Sequence, residues 1–448
     1  IGGAGALGPD PGAARRQTGS AARHERHQPA RAACARGWTA INGQTGTAMK
    51  SNTAETNTPA IAAPAPEAKA AAPNRASSII SVARSAAGLL VAVALVWIAF
   101  SFLTDGVFVS DRNVTNLMRQ TAITAMVALG MLVVVAQGEI DLSVGSFMSL
   151  CVTVVALLEA SHLVSPWVTV AAAIGMGVLV GVWNGTWVAR FGLPSFVATL
   201  GGLMLFRGIA LALSGGRTIS GISEGIRFFG DAFLSGPVLW VFLAIAALIS
   251  LLPLRQLKDP GRRRQALVRA ALGFASVALL SWSTLSYLGL PMPVAITLVA
   301  AAILSWMLTN TVWGRHVYAV GGNRAAARSA GIPITRHLMT SFILIGVLTG
   351  LGTLMFVGRL GSAPPESGLF LELNAIAAVV IGGASLYGGT GTVPGILLGA
   401  LLMQSLSNGL SLLNVPTAYQ NIVSGIVLML AVYVDVLSKR GGKLFVRP

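Results

Sequence analysis

The sequence predicts an all-α fold: a polytopic bundle of about twelve membrane-crossing helices. Three observations carry that prediction. Of 448 residues, 54% are hydrophobic and 10% charged, and the mean hydropathy is +0.74, well outside soluble globular composition. Apolar runs close to the roughly 20 residues that a helix needs to cross about 30 Å of hydrocarbon recur from about residue 80 onward. Much of the formal net charge of +16 falls in short stretches flanking those runs, as expected of loops held on the cytoplasmic side. The same distribution argues against nucleic acid as a partner, because no basic stretch interleaves aromatics for base stacking.

Taken in chain order, residues 1–48 lack a starting Met and an apolar core, and they mix Arg with Gly and Pro. They read as a non-native leader, with the natural start at Met49. A transit peptide is the alternative, disfavoured by helix-spoiling Gly and Pro. Residues 49–78, rich in Ala, Pro, Thr and Asn, read as a flexible cytoplasmic tail. The membrane domain then covers 79–438, and 439–448 form a second cytoplasmic tail.

Within the domain the apolar runs lie near 80–103, 121–137, 146–163, 167–189, 194–213, 237–254, 266–283, 293–310, 338–357, 373–387, 393–412 and 419–437. The weakest are 266–283, which contains Arg269, and 373–387, which is short and glycine-bearing. Placing the amino end inside puts the basic stretches 255–265 and 313–337 and the carboxyl tail on the cytoplasmic side. Both termini are then cytoplasmic, and the charge bias favours an even number of crossings. Glycines spaced four apart in "GVLVG" and "GVWNG" (177–185), "GVLTG" (346–350) and "GILLG" (395–399) predict close helix approaches. The two cysteines, Cys34 and Cys151, give no disulfide framework.

The stretch "AQGEIDLSVGS" (136–146) sets Glu139 and Asp141 between two apolar runs. A carboxylate in hydrocarbon is expensive unless it meets water, protein or a partner. Gly138 and Gly145 permit a bend there, and Asp141 or Ser143 can cap the helix that follows. Two readings stand open: a capped bend, or a moving part of a transport pathway. Asn184, Asn374, Gln404, Ser405 and Asn408 lie within or at the ends of apolar runs, while carboxylates are scarce there. Such amides serve either as interhelical glue or as groups lining a route for a neutral cargo. Arg207 either snorkels, caps carbonyls or lines the route. His316 and His337 read as loop residues, and no metal-ligand or nucleophile and base cluster stands out. An ion-coupled secondary transporter remains an alternative, although neither midplane acids nor repeated halves support it.

Five segments carry a resemblance: "GEIDLSVGS" (138–146), "LPSFVATLGGLMLFRGIA" (193–210), "WGRHVYAVGGNRAAARSAGI" (313–332), 372–413, and "YQNIVSGIVLMLAVYVD" (419–435). In this order they resemble the membrane permeases of bacterial ABC importers for ribose, xylose and related sugars, with a type II importer fold. Glu139 stands where many members have glycine. The stretch near 237–290 looks like an added helical pair, as in the longer xylose-type permeases. The resemblance implies an inner-membrane homodimer importing a monosaccharide, xylose or a related pentose. Its partners would be a periplasmic sugar-binding protein and a separate ATPase chain that holds ATP and Mg. Branched-chain amino-acid permeases are distant relatives and a second alternative.

The resemblance also implies a short cytoplasmic helix that docks on the ATPase. "GGNRAAARSAGIP" has the build for it: Asn323 as N-cap, a helix-forming "RAAARSA", and Gly331 with Pro333 as terminators. Arg324 and Arg328, four apart, would share a face. The glycine-rich "GGASLYGGTGTVPG" (382–395) is no phosphate cradle, because the chain contains no G-x-x-x-x-G-K-[ST]. Its glycines predict a tight bend.

Overall fold

The computed structural model describes residues 75–161, 164–251 and 288–439, with isolated positions between 254 and 284. The leader 1–48, most of the amino-terminal tail, Cys34, the basic stretch 255–265, most of the run 266–283 and the carboxyl tail beyond Lys439 lie outside the described residues.

Fourteen helices are described. In chain order they are α1 (Arg75–Leu103), α2 (Asp111–Ala136), α3 (Val144–Ala160), α4 (Pro166–Gly185), α5 (Ser195–Ser214), α6 (Glu224–Asp231), α7 (Gly236–Leu251), α8 (Met292–Asn310), α9 (Val312–Gly322), α10 (Arg324–Ser329), α11 (Ile334–Leu360), α12 (Leu371–Ile381), α13 (Val393–Leu412) and α14 (Thr417–Lys439). Six of them, α2, α4 with its π-helical extension to Arg190, α5, α8, α11 and α13, are long and apolar enough to cross a membrane, and five more are shorter apolar helices. α1 begins at Arg75, ahead of its apolar run, because "RASSIISVARSAA" offers nothing that stops a helix.

One apolar run is not a full crossing. The stretch expected to span 373–387 is helical only over Leu371–Ile381, and its 11 residues extend about 16 Å, half the hydrocarbon thickness. Gly382 follows, and Gly383 at φ +85° turns the chain away. The bend expected at 382–395 is there, with Gly388, Gly389 and Gly391 also at positive φ. It packs on the carboxyl end of α2 through a bond from Gly389 N to Ala136 O of 2.9 Å.

α2 and α11 form the buried centre; α11 packs most extensively against α4 and then α2. The glycine ladders explain the first pairing: a Cβ on Gly181 would meet the backbone of Phe342 and Ile343, and one on Gly350 the carbonyl of Ala173. A second close crossing sets Gly395 and Gly399 of α13 against α12. Without a hydrophobic drive between helices in lipid, such backbone approach supplies the packing. α1, α4, α5, α7, α8 and α14 carry the large exposed apolar side chains, among them Leu95, Leu179, Met204, Leu248, Ile303 and Met429. These are surfaces for lipid or another membrane subunit.

Short antiparallel pairings tie the stretches near the carboxyl end of α11. β1 (Ile219–Ser220) pairs with β4 (Ser362–Ala363), and β2 (Phe233–Leu234) pairs with β3 (Leu290–Pro291). The short α6 lies against α11 where Gly230 meets Gly358.

Candidate functional site

The bend between α2 and α3 and the short helix α10 meet at one end of the bundle. Asn323 caps α10, its Oδ1 accepting from Ala326 N at 2.9 Å, and Gly331 ends the turn at φ +78°. From the first residue of this helix, Arg324 Nη2 donates to Glu139 Oε1 at 2.5 Å and to Gln137 O at 3.3 Å. Glu139 is largely covered, whereas Arg324 is about half exposed. Arg328 is exposed and makes no ion pair among the described residues. The two arginines therefore have different surroundings: one holds the bend, the other faces outward.

Behind this pair the bend is a polar knot. Asp141 Oδ1 accepts from Ser143 N at 2.8 Å and Ser143 Oγ at 2.7 Å. Asn184 Nδ2 donates to Ser143 Oγ at 2.8 Å and to Asp141 Oδ2 at 3.3 Å. Ser143 occupies the N-cap of α3 without making a side-chain cap bond. Asp141 instead closes a local turn on the Ser143 amide. Gln137 bonds the Ser341 hydroxyl and the His337 carbonyl of α11. His316 and His337 are not loop residues: they sit on α9 and α11, with His316 Nδ1 3.1 Å from His337 Nε2. The amphipathic pattern of α9 was the signal that could have placed His316 on a helix.

Burial raises the Asp141 carboxyl above its usual value near 3.8, and its bonds from Ser143 and Asn184 only partly offset this. A carboxyl whose folded value exceeds its unfolded one contributes most stability below pH 3.8 and loses that contribution as pH rises through the folded value. The thermal midpoint of wild-type protein in detergent should therefore fall as pH is raised above about 4. Asp141→Asn should flatten that dependence, because it removes the titrating group, and the unpaired Asn184 Oδ1 can accept from the new amide. Parallel curves for the two proteins would rule out this role for the carboxyl.

Among the remaining sequence candidates, Asn374 and Gln404 come together. Both line a cavity of about 230 Å³ between α2, α3, α11, α12 and α13, with Gln120, Thr124 and Arg359. Gln404 Nε2 donates to Thr124 Oγ1 at 2.6 Å. Asn408 is elsewhere, in a reciprocal amide pair with Asn113 at 2.9 and 3.1 Å. Ser405 accepts from Trp97 Nε1 at 3.0 Å. Arg207 bridges Ser149 Oγ and Ser367 O, both at 3.4 Å, which ties α5 to α3 and to the chain before α12. Two buried acids escaped the sequence reading. Glu159 accepts from Thr169 Oγ1 at 2.6 Å and Ser223 N at 3.1 Å. Glu372 packs against Gly145, with Oε2 lacking a hydrogen-bond partner. Among the described residues no cluster of three or more His, Cys, Asp or Glu could hold a metal ion.

A family model described as "Branched-chain amino acid transport system / permease component" matches residues 113–432. The chain belongs to this permease family. The xylose transport system permease protein of Haemophilus influenzae is 41% identical to the permease over 361 residues, 79% of this chain and 96% of that protein. The Escherichia coli K12 xylose transport system permease protein is 39% identical over 364 residues, 79% of this chain and 92% of that protein. The ribose import permease protein of the same organism is 34% identical over 353 residues, again 79% and 92%. No solved structure matches the chain.

Proposed function

We propose that this permease is the membrane subunit of an ATP-driven importer that moves xylose or a related pentose received from a periplasmic binding protein. The observation that carries this reading is 41% identity along 96% of a protein named for xylose transport. The neutral amides along the smaller cavity agree with an uncharged, hydroxyl-rich cargo. An ATPase chain of the importer supplies the energy on this reading, and α10 receives its motion. On this reading residues 79–438 form the permease domain, and two copies enclose a central passage in the bacterial inner membrane. Both termini and α10 face the cytoplasm, which is where the positive-inside bias puts the basic stretches.

The test is reconstitution with a xylose-type periplasmic binding protein and an ABC ATPase from the same genome. ATP-dependent uptake of labelled xylose, exceeding that of ribose, is the expected result, with a permease dimer by mass measurement in detergent. Uptake of leucine in place of any sugar would overturn the cargo. A permease that stays monomeric both alone and with its ATPase would overturn the assembly.

A further inference from the structure

The smaller cavity, itself open to the surface, lies at the broken part of the fold. α12 starts there, since Gly368, Leu369, Leu371 and Asn374 all reach the cavity wall, while α2 contributes Gln120 and Thr124 from one face, four residues apart. Its volume of about 230 Å³ is below the roughly 300 Å³ at which drug-sized pockets begin. It suits one small ring rather than an oligosaccharide.

The state of its polar groups is informative. Gln404 and Thr124 are bonded to each other, and Arg359 Nη2 donates to Asn116 Oδ1 at 3.0 Å. Gln120 and Asn374 are half-buried, and their side chains make no hydrogen bond within the described chain. An amide offers a donor and an acceptor side by side, matching neighbouring sugar hydroxyls, each of which both donates and accepts. Phe356 provides an apolar wall for the C–H side of a ring. Among the described residues of the wall Arg359 is the one charge, and it is already held by Asn116.

Asn116 also lines a wider opening of about 790 Å³ on the same stretch of α2, with Asn113, Arg119 and Asp231. The Arg359–Asn116 bond therefore joins the wall of the wider opening to the wall of the smaller cavity.

From this arrangement we infer that the permease carries its own binding site for a neutral monosaccharide, with Gln120 and Asn374 as its specificity-determining residues. The inference rests on the sugar-importer reading above. It adds that selectivity resides partly in the membrane subunit and not only in whichever protein delivers the sugar.

The test uses the complete wild-type complex in proteoliposomes, with labelled xylose as probe and unlabelled arabinose, ribose and glucuronate as competitors. Asn374→Leu and Gln120→Leu keep side-chain bulk and remove the hydrogen bonds. Each should lower the xylose uptake rate about tenfold, the factor that 1.4 kcal/mol makes. Each should also change the xylose-to-arabinose ratio while ATPase copurification holds. Wild-type permease without binding protein should show weak, saturable xylose binding by scintillation proximity, and both variants should lose it. If Asn374→Leu does not assemble, Gln120→Leu decides alone. Unchanged rates and ratios in the assembled variants would overturn the site while leaving the importer reading intact. Tighter competition by glucuronate than by xylose would overturn the neutral-ligand assignment. A wild-type complex without ATP-driven sugar uptake would instead overturn the importer reading itself.

Discussion

Gly145→Val is expected to leave almost no folded permease in the membrane. Gly145 lies in the first turn of α3, and its missing side chain is where the buried carboxylate of Glu372 and the backbone of Gly368 sit. A Cβ built there falls 2.5 Å from the Gly368 carbonyl oxygen and still closer to the Glu372 carboxylate. The Glu372 side chain can swing away, but the Gly368 backbone cannot. Gly368 is at φ +73° in the turn that feeds α12, and a Cβ at Gly368 would in turn meet the Gly145 carbonyl. The two glycines are thus packed backbone to backbone where α3 and α12 both begin. Forcing a branched side chain between them should cost more than about 4 kcal/mol, in the range reserved for overpacking and broken buried networks. The monodisperse fraction of a fluorescent fusion in detergent would read the loss. A wild-type elution profile with an unchanged thermal midpoint would show that the two helix starts are not packed this way. Gly208→Val, with open space around its Cβ, is the matched control.

This crossing also shows what the sequence conveys and what it does not. Apolar runs reveal helices because hydrophobicity is a local property, and α2, α4, α8, α11 and α13 overlap the runs read from composition. The cap at Asn323 and the glycine ladders were legible for the same reason: donor, acceptor and spacing all lie within a few residues. Glu372 against Gly145, Asn113 with Asn408, and Arg324 on Glu139 join residues far apart in the chain. No period or motif encodes those pairings. The α6 helix was also missed, because eight residues with three charges in "EGIRFFGD" leave too short a pattern to separate from a loop. The candidate amides were found as a class, since polar residues in apolar runs are conspicuous. Only three-dimensional packing separates Asn408, already paired, from Asn374, which faces a cavity.

Replacing Arg324 and Arg328 together with glutamate is expected to abolish ATP-driven uptake and ATPase binding at once, and the structure divides that effect into two parts. Arg328 is exposed on α10, so Arg328→Glu alone should weaken docking on the ATPase while leaving the permease as stable as wild type. Arg324 is already bonded to Glu139 and to the Gln137 carbonyl. Arg324→Glu should therefore set two carboxylates against each other and lift α10 off the bend that holds Asp141. Exposed ion pairs contribute about 1 kcal/mol or less. Arg324 is 43% exposed, but its partner's side chain is only 11% exposed, so the loss should exceed that figure and shrink as salt is raised. The exchanged pair Glu139→Arg with Arg324→Glu should recover part of the lost thermal stability by restoring opposite charges. Recovered stability without recovered uptake would mean that α10 needs the bend and the ATPase needs Arg324 itself. Membrane insertion should survive in every variant, because the basic stretch at 255–265 and the carboxyl tail remain to fix orientation. Copurification of the ATPase and initial uptake rates, measured on the same preparations, separate these cases. Wild-type values of both in the double charge reversal would remove α10 from the coupling path and leave Arg324 a tie between two turns at one end of the bundle.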